Sequence, residues 1–111
     1  MTERTFTIHE ACAAAGITAA CLHQWIERGQ FVPLRDTQSG RAREYTLRDI
    51  VHLAAIVELD AAGLSVSSAV ELLGTSPMET AGRQTVIARR ANTEIRLNLA
   101  AVTDRVRTAL L

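Results

Sequence analysis

The sequence predicts a mainly α-helical fold: two short helices joined by a tight turn, a small β-hairpin, then further helices ending in a long C-terminal one. Three observations carry this. N-capping residues stand just before apolar-periodic runs at Thr7, Thr18, Thr46 and Ser65, and glycines close those runs at Gly16, Gly29, Gly63 and Gly74. The stretch 31–45 interrupts them with Pro33 and the turn-forming Asp36-Thr37-Gln38-Ser39-Gly40. Beyond residue 76, apolar residues recur in steps of four and three.

Helix one runs from Ile8 to Ala15. Thr7 caps it, and Glu10 stands three residues later, at capping-box spacing. Ile17 bridges to Thr18, which caps helix two from about Ala19 to Arg28. Ala11, Ala14, Ile17, Leu22 and Trp25 are the expected core of this pair, the alanines permitting a close crossing. Phe31–Leu34 and Arg41–Tyr45 read as the two strands of a hairpin.

Thr46 caps helix three, with Asp49 three residues on. Ile50, Leu53, Ala54, Val57 and Ala61 form one stripe, and Val51, Ala55, Ile56 and Leu59 make the opposite face apolar too. Such a helix has to be covered on both sides, by its own domain or by a partner. Ser65 starts a fourth helix with Val66, Ala69, Val70 and Leu73 at i, i+3, i+4 and i+7.

Ser76-Pro77-Met78-Glu79 is a helix-start signal, and the rest to Leu111 reads as helix with a weak point at Gly82. Ile87, Ala91, Ile95, Leu99, Val102, Val106 and Leu110 form a seam of about three heptads, the pattern of a coiled coil with a second copy. The segment boundary falls at Gly74-Thr75-Ser76. It divides an N-terminal unit, 1–74, from a C-terminal dimerisation helix, 75–111.

Composition narrows the function classes. Hydrophobic residues make up 48% of 111 residues, enough for a packed core. The 12 positive charges are all Arg and are balanced by 12 acidic residues. Arg suits bidentate contacts to phosphate and guanine, and its exclusive use fits a GC-rich coding sequence equally well. Zero net charge argues against strong non-specific polyanion binding, but the charge is uneven. Arg35, Arg41, Arg43 and Arg48 gather in one stretch. Residues 50–75 carry Glu58, Asp60 and Glu71 without an Arg, and residues 76–111 carry six Arg.

Cys12 and Cys21 are too few for a disulfide framework and read as small buried thiols. His9, His23 and His52 lack metal-ligand spacing. With no glycine-rich phosphate loop, HExxH or GxSxG, neither an enzyme nor a cofactor is expected. No apolar run reaches membrane-span length and no signal peptide opens the chain, so the expected location is cytoplasmic, at the nucleoid.

The order Phe6-Thr7-Ile8, Gly16-Ile17-Thr18, Leu22, Trp25, Arg28-Gly29, Phe31, Pro33, Gly40, Arg43-Glu44-Tyr45, Asp49-Ile50, Gly63-Leu64-Ser65 and Leu72-Leu73 resembles the MerR family of transcription regulators over about residues 5–74. The resemblance implies a winged helix-turn-helix that binds double-stranded DNA as a homodimer on a palindromic operator. It also implies a long terminal helix paired antiparallel with its twin. Helix two would enter the major groove with Thr18, Ala19, Ala20, His23 and Gln24. Gln24 suits bidentate pairing with adenine, and Ala20 suits a thymine methyl. Arg35, Arg41, Arg43 and the Tyr45 hydroxyl would hold phosphates.

The chain departs from the family at His23, where Arg is usual, at Gln24, where Tyr is usual, and at Cys21, where a polar residue is usual. No effector domain is expected after the terminal helix. Two rival readings share the architecture: a protein-binding module resembling chaperone modulators, and an architectural DNA binder resembling phage excisionases. Neutral charge and the altered residues of helix two favour the first rival. Trp25 and the arginines around Arg43-Glu44-Tyr45 favour DNA.

Overall fold

The computed structural model describes residues 4–34, 44–75, 77 and 83–110. Among them, five helices and two small antiparallel sheets follow the order β1 (Thr5–Phe6), α1 (Ile8–Ala15), α2 (Ala19–Glu27), β2 (Tyr45–Thr46), α3 (Leu47–Ala61), α4 (Val66–Leu73), β3 (Thr85–Arg90), β4 (Thr93–Asn98) and α5 (Leu99–Leu110).

Local chemistry sets the first four helices. Thr7 Oγ1 accepts from Glu10 N at 3.2 Å while Glu10 Oε1 accepts from Thr7 N at 3.0 Å, a complete capping box. Gly16 closes α1 at φ 84°, a left-handed turn in which its N–H donates to Cys12 O. That turn reverses the chain within two residues. Thr18 then caps α2 by accepting from Cys21 N, and Ser65 caps α4 by accepting from Ser68 N.

The start of α3 ties three segments together. Asp49 is fully buried, and its carboxyl group accepts from Leu34 N at 3.0 Å, Thr46 N at 2.8 Å and Thr46 Oγ1 at 3.1 Å. Thr46 Oγ1 in turn accepts from Asp49 N. Residues 34 and 46, on either side of the 35–43 segment, are therefore held against one helix turn. Val32 N donates to Thr75 O, fixing the 31–34 segment to the end of α4. Phe31 packs at 5.8 Å from the buried His52 ring, whose Nε2 donates to Gly74 O.

The expected pairing of Phe31–Leu34 with Arg41–Tyr45 is not seen among the described residues. Tyr45 pairs instead with Phe6, and Thr46 with Thr5. The reason is burial: Phe6 and Tyr45 both enter the core, which draws their two-residue strands together. The predicted turn Asp36–Gly40 and most of the second strand lie outside the described residues.

The covering of α3 is settled within one chain. The helix packs against α1, α4, α5 and β4 of the same chain. Ile50, Leu53, Ala54, Ala55, Ile56 and Leu59 are all buried.

The single helix expected over 76–111 is overturned. Residues 85–98 form a hairpin in which Val86 faces Leu97 and Ala88 faces Ile95. These four point inward and are buried or half-buried. Ile87, Ala91 and Ile95 thus do not share a helical stripe: Ile87 is exposed, Ala91 is in the turn and Ile95 is half-buried. Thr85, Val86, Ile87, Thr93 and Ile95 are β-branched, and an inward face of period two completes the core beside α4 and α3. The predicted start at Ser76–Glu79 and the weak point at Gly82 fall outside the described residues, apart from Pro77.

The remaining seam residues lie on α5, which begins with Asn98 Oδ1 accepting from Ala101 N. Leu99, Val102 and Val106 are buried against the chain's own α3 and α1, and Leu110 is half-buried. Burying an aliphatic side chain of this size stabilises by about 1.5–3 kcal/mol. The second apolar face of α3 supplies the surface, so the face read as a partner seam is spent inside one chain. Arg105 adds an ion pair to Glu58 at 2.8 Å, exposed enough to contribute little.

Two stability predictions follow from these contacts. Asp49→Ala leaves the Leu34 and Thr46 N–H groups without their acceptor and should lower unfolding stability by about 3 kcal/mol in urea titrations. Ala91 turns the hairpin at φ 46°. Ala91→Gly relieves its Cβ and should raise stability by about 0.5–1 kcal/mol in the same assay. A helical 85–98 would instead be weakened by that glycine.

Candidate nucleic-acid interface

The helix-turn-helix pair sorts α2 into two faces. Leu22 and Trp25 are buried beneath it, with Ala19 and Ile26 half-buried on one side of them and Cys21 on the other. Thr18, Ala20, His23, Gln24 and Glu27 are exposed. The outward set is polar or small, and small side chains let a helix approach another surface closely. Because α5 packs on α3 and α1, the terminal segment does not cover this face.

Of the predicted contact residues, Thr18, Ala20, His23 and Gln24 therefore share one open face, with Ala19 at its edge. Arg35, Arg41 and Arg43 lie outside the described residues. Tyr45 requires a correction. At 1% exposure it is a core residue beside Phe6 and not a surface hydroxyl for phosphate. Its aromatic ring supplies apolar area that the small N-terminal core needs, which outweighs presenting one hydroxyl to solvent.

An open cleft of about 610 Å³ adjoins α2. It is bounded by β1 and the first turn of α1 on one side and by His23, Glu44 and Tyr45 on the other. His9 and His23 line it together, as do the carboxylates of Glu10 and Glu44. Arg4 sits over the Phe6 ring at 4.9 Å from its centroid. Sequence reading had no signal for His9: its place beside α2 arises from the helix crossing. Arg48, at the start of α3, is exposed as well.

No group of three or more His, Cys, Asp or Glu capable of holding a metal ion occurs among the described residues. Both thiols are pushed above the usual cysteine range. For Cys12 burial is the main cause and the nearby Cys21 adds to it; for Cys21 burial leads and the charge of Asp60 adds to it. No described helix is long and apolar enough to cross a membrane.

Comparison with known proteins bears on residues 6–75, which match the family model described as MerR HTH family regulatory protein. No curated protein matches the chain.

The raised thiols predict slow chemistry. At pH 7.5 a thiol-exchange reagent should label Cys12 and Cys21 more slowly than free glutathione, with the rate climbing as pH rises further, since the thiolate is the nucleophile. Labelling as fast as glutathione at pH 7.5 would contradict the burial assigned to both.

Proposed function

Because the chain belongs to the MerR family of helix-turn-helix regulatory proteins, a family that points to DNA-binding transcription regulation, we propose that it is a sequence-specific regulator that lays α2 in the major groove of an operator. The observation that carries this reading is the open face of Thr18, Ala20, His23 and Gln24 above the buried Leu22 and Trp25. In the groove, the Gln24 amide matches the donor and acceptor of adenine, the Ala20 methyl matches that of thymine, and the His23 ring adds hydrogen-bonding nitrogens. The helix-two amides near Thr18 favour a phosphate. Arg35, Arg41 and Arg43 act in this reading as backbone contacts that fix register without reading bases.

Two copies on a palindromic operator belong to the same proposal, since a pair of recognition helices reads the site twice. Their contact does not use the face of α5 occupied by Leu99, Val102 and Val106, which is buried in its own chain.

Zero net charge favours a second reading, a protein-binding module of the same architecture. Gel shifts with duplex from the protein's own promoter region, at several salt concentrations, separate the two. A specific shift that weakens steeply with salt supports DNA binding. No shift at micromolar protein, with capture of a defined protein partner, sinks it. Gln24→Ala should cut discrimination at one base position by about tenfold, in keeping with the ~1–3 kcal/mol of a bidentate base contact. Arg43→Ala should weaken binding to all sequences alike and reduce the salt slope by about 1.

A further inference from the structure

The hairpin β3–β4 is a sheet of two strands, so each strand has an outer edge. The register shows which backbone groups lie along it. Leu99 N donates to Gln84 O at 2.8 Å, which continues the ladder one step past Thr85 and Asn98 and marks 84 with 99 as a hydrogen-bonded pair. Facing residues of an antiparallel ladder alternate between bonded and non-bonded pairs. Val86 with Leu97, Ala88 with Ile95 and Arg90 with Thr93 are therefore the bonded pairs. The N–H and C=O groups of Glu94 and Arg96 then point away from β3, along the outer edge of β4. Among the described residues no group bonds to the backbone of Glu94 or Arg96 on that edge. The side chains of Glu94 and Arg96 are exposed, and Ile95 between them, although it faces the core, is only half-buried. An unpaired strand edge is a template for another strand. The edge of β3 is a poorer one. Its 83–90 segment holds three arginines and no acid, so two copies repel, and it borders a shallow hollow shared with α4.

We propose that the outer edge of β4 is the contact between two copies of this chain, pairing antiparallel with its own twin about Ile95 and joining the two hairpins into one sheet. The inference rests on the two-copy part of the reading above and names the surface it uses, in a part of the chain beyond the family match. The order Thr93-Glu94-Ile95-Arg96-Leu97 selects a second copy as the occupant. With the two-fold axis at Ile95, Glu94 stands opposite the partner's Arg96, and Arg96 opposite the partner's Glu94. Opposite charges on facing residues stabilise a strand pair. These are also the residues whose backbone groups lie on the edge, so each such pair exchanges two N–H···O bonds. Arg96 Nε already donates to Glu94 Oε1 at 2.7 Å within one chain, and two copies close these ion pairs into a square of alternating charge. Ile95 meets the partner's Ile95 as a non-bonded pair, the arrangement in which side chains come closest, which covers the part its own chain leaves exposed. Charge also fixes the register. Moving the axis to Glu94 or Arg96 sets carboxylate against carboxylate or guanidinium against guanidinium. The contact is short beside the ~800 Å² per partner of a standard interface, so pairing depends on concentration. It uses neither the outer face of α2 nor the buried face of α5.

The test follows the full chain by sedimentation equilibrium over a micromolar concentration series, with amide hydrogen exchange read by NMR. The parent should climb from one chain mass towards two. Exchange of the Glu94 and Arg96 amides, which face solvent in a single chain, should slow several-fold as the mass rises. Glu94→Arg and Arg96→Glu each set like charges face to face, and each should stay monomeric across the series. Mixed one to one, the two variants face arginine with glutamate at both positions and should pair with each other, which also shows that each is folded. A parent monomeric throughout, a dimer that either variant leaves intact, or a mixture that does not pair overturns the proposal. Protection of those amides only on adding duplex or another protein reassigns the edge and overturns it too. Gel shifts on the same samples keep the two readings apart. A monomer that shifts its operator specifically sinks the edge pairing and leaves the reading of α2. A dimer that responds to the variants as expected but shifts no duplex sinks the reading of α2 and leaves the edge pairing.

Discussion

The buried carboxyl group of Asp49 is the contact on which the arrangement rests. It accepts hydrogen bonds from Leu34, on one side of the 35–43 segment, and from Thr46, on the other, while standing in the first turn of α3. A buried carboxyl in an apolar setting persists only with its hydrogen-bonding capacity used, and here each partner is itself a group that would be costly to leave unpaired. The helix N-terminus adds favourable dipoles at the same place. The result is a junction at which the end of the helix-turn-helix, β2 and the central helix meet in a defined order.

From that junction α3 acts as the axle of the core. Being apolar on both faces, it takes α1, α4, α5 and β4 around it. The consequence for function is indirect but strong. Once α5 is committed to α3 and α1, the outer face of α2 stays open, with Thr18, Ala20, His23, Gln24 and Glu27 exposed on it. Tyr45 goes the opposite way, since the small N-terminal core gains more from an aromatic ring than the surface gains from a hydroxyl.

Charge distribution matters more here than net charge. A total of zero would weaken a polyanion-binding reading if the charges were evenly mixed. They are not: residues 50–75 carry only acids, and residues 76–111 carry six of the twelve arginines, three of them in the β3–β4 hairpin. Sharing of Glu94 by Arg89 and Arg96 organises that charge without cancelling it.

The chain announced its first four helices in local chemistry. Thr7 with Glu10, Thr18, Thr46 with Asp49, and Ser65 are caps whose partners lie three residues away, so short-range bonding suffices to place them. The same locality made the exposed face of α2 legible, because its inward residues Leu22 and Trp25 are one helical turn apart. Residues 85–98 were not legible that way. Ile87, Ala91 and Ile95 satisfy a helical step of four, while Val86, Ala88, Ile95 and Leu97 satisfy a strand pairing, and Ala91-Asn92 lacks the glycine that marks most tight hairpins. Tertiary contact decided between the two periods, because the hairpin offers an apolar face that α3 and α4 can bury. It also decided that the seam of α5 meets its own chain: the uncovered side of α3 lies within reach of α5 in the same molecule, and no periodicity along one strand of sequence can report where another helix has left a surface uncovered.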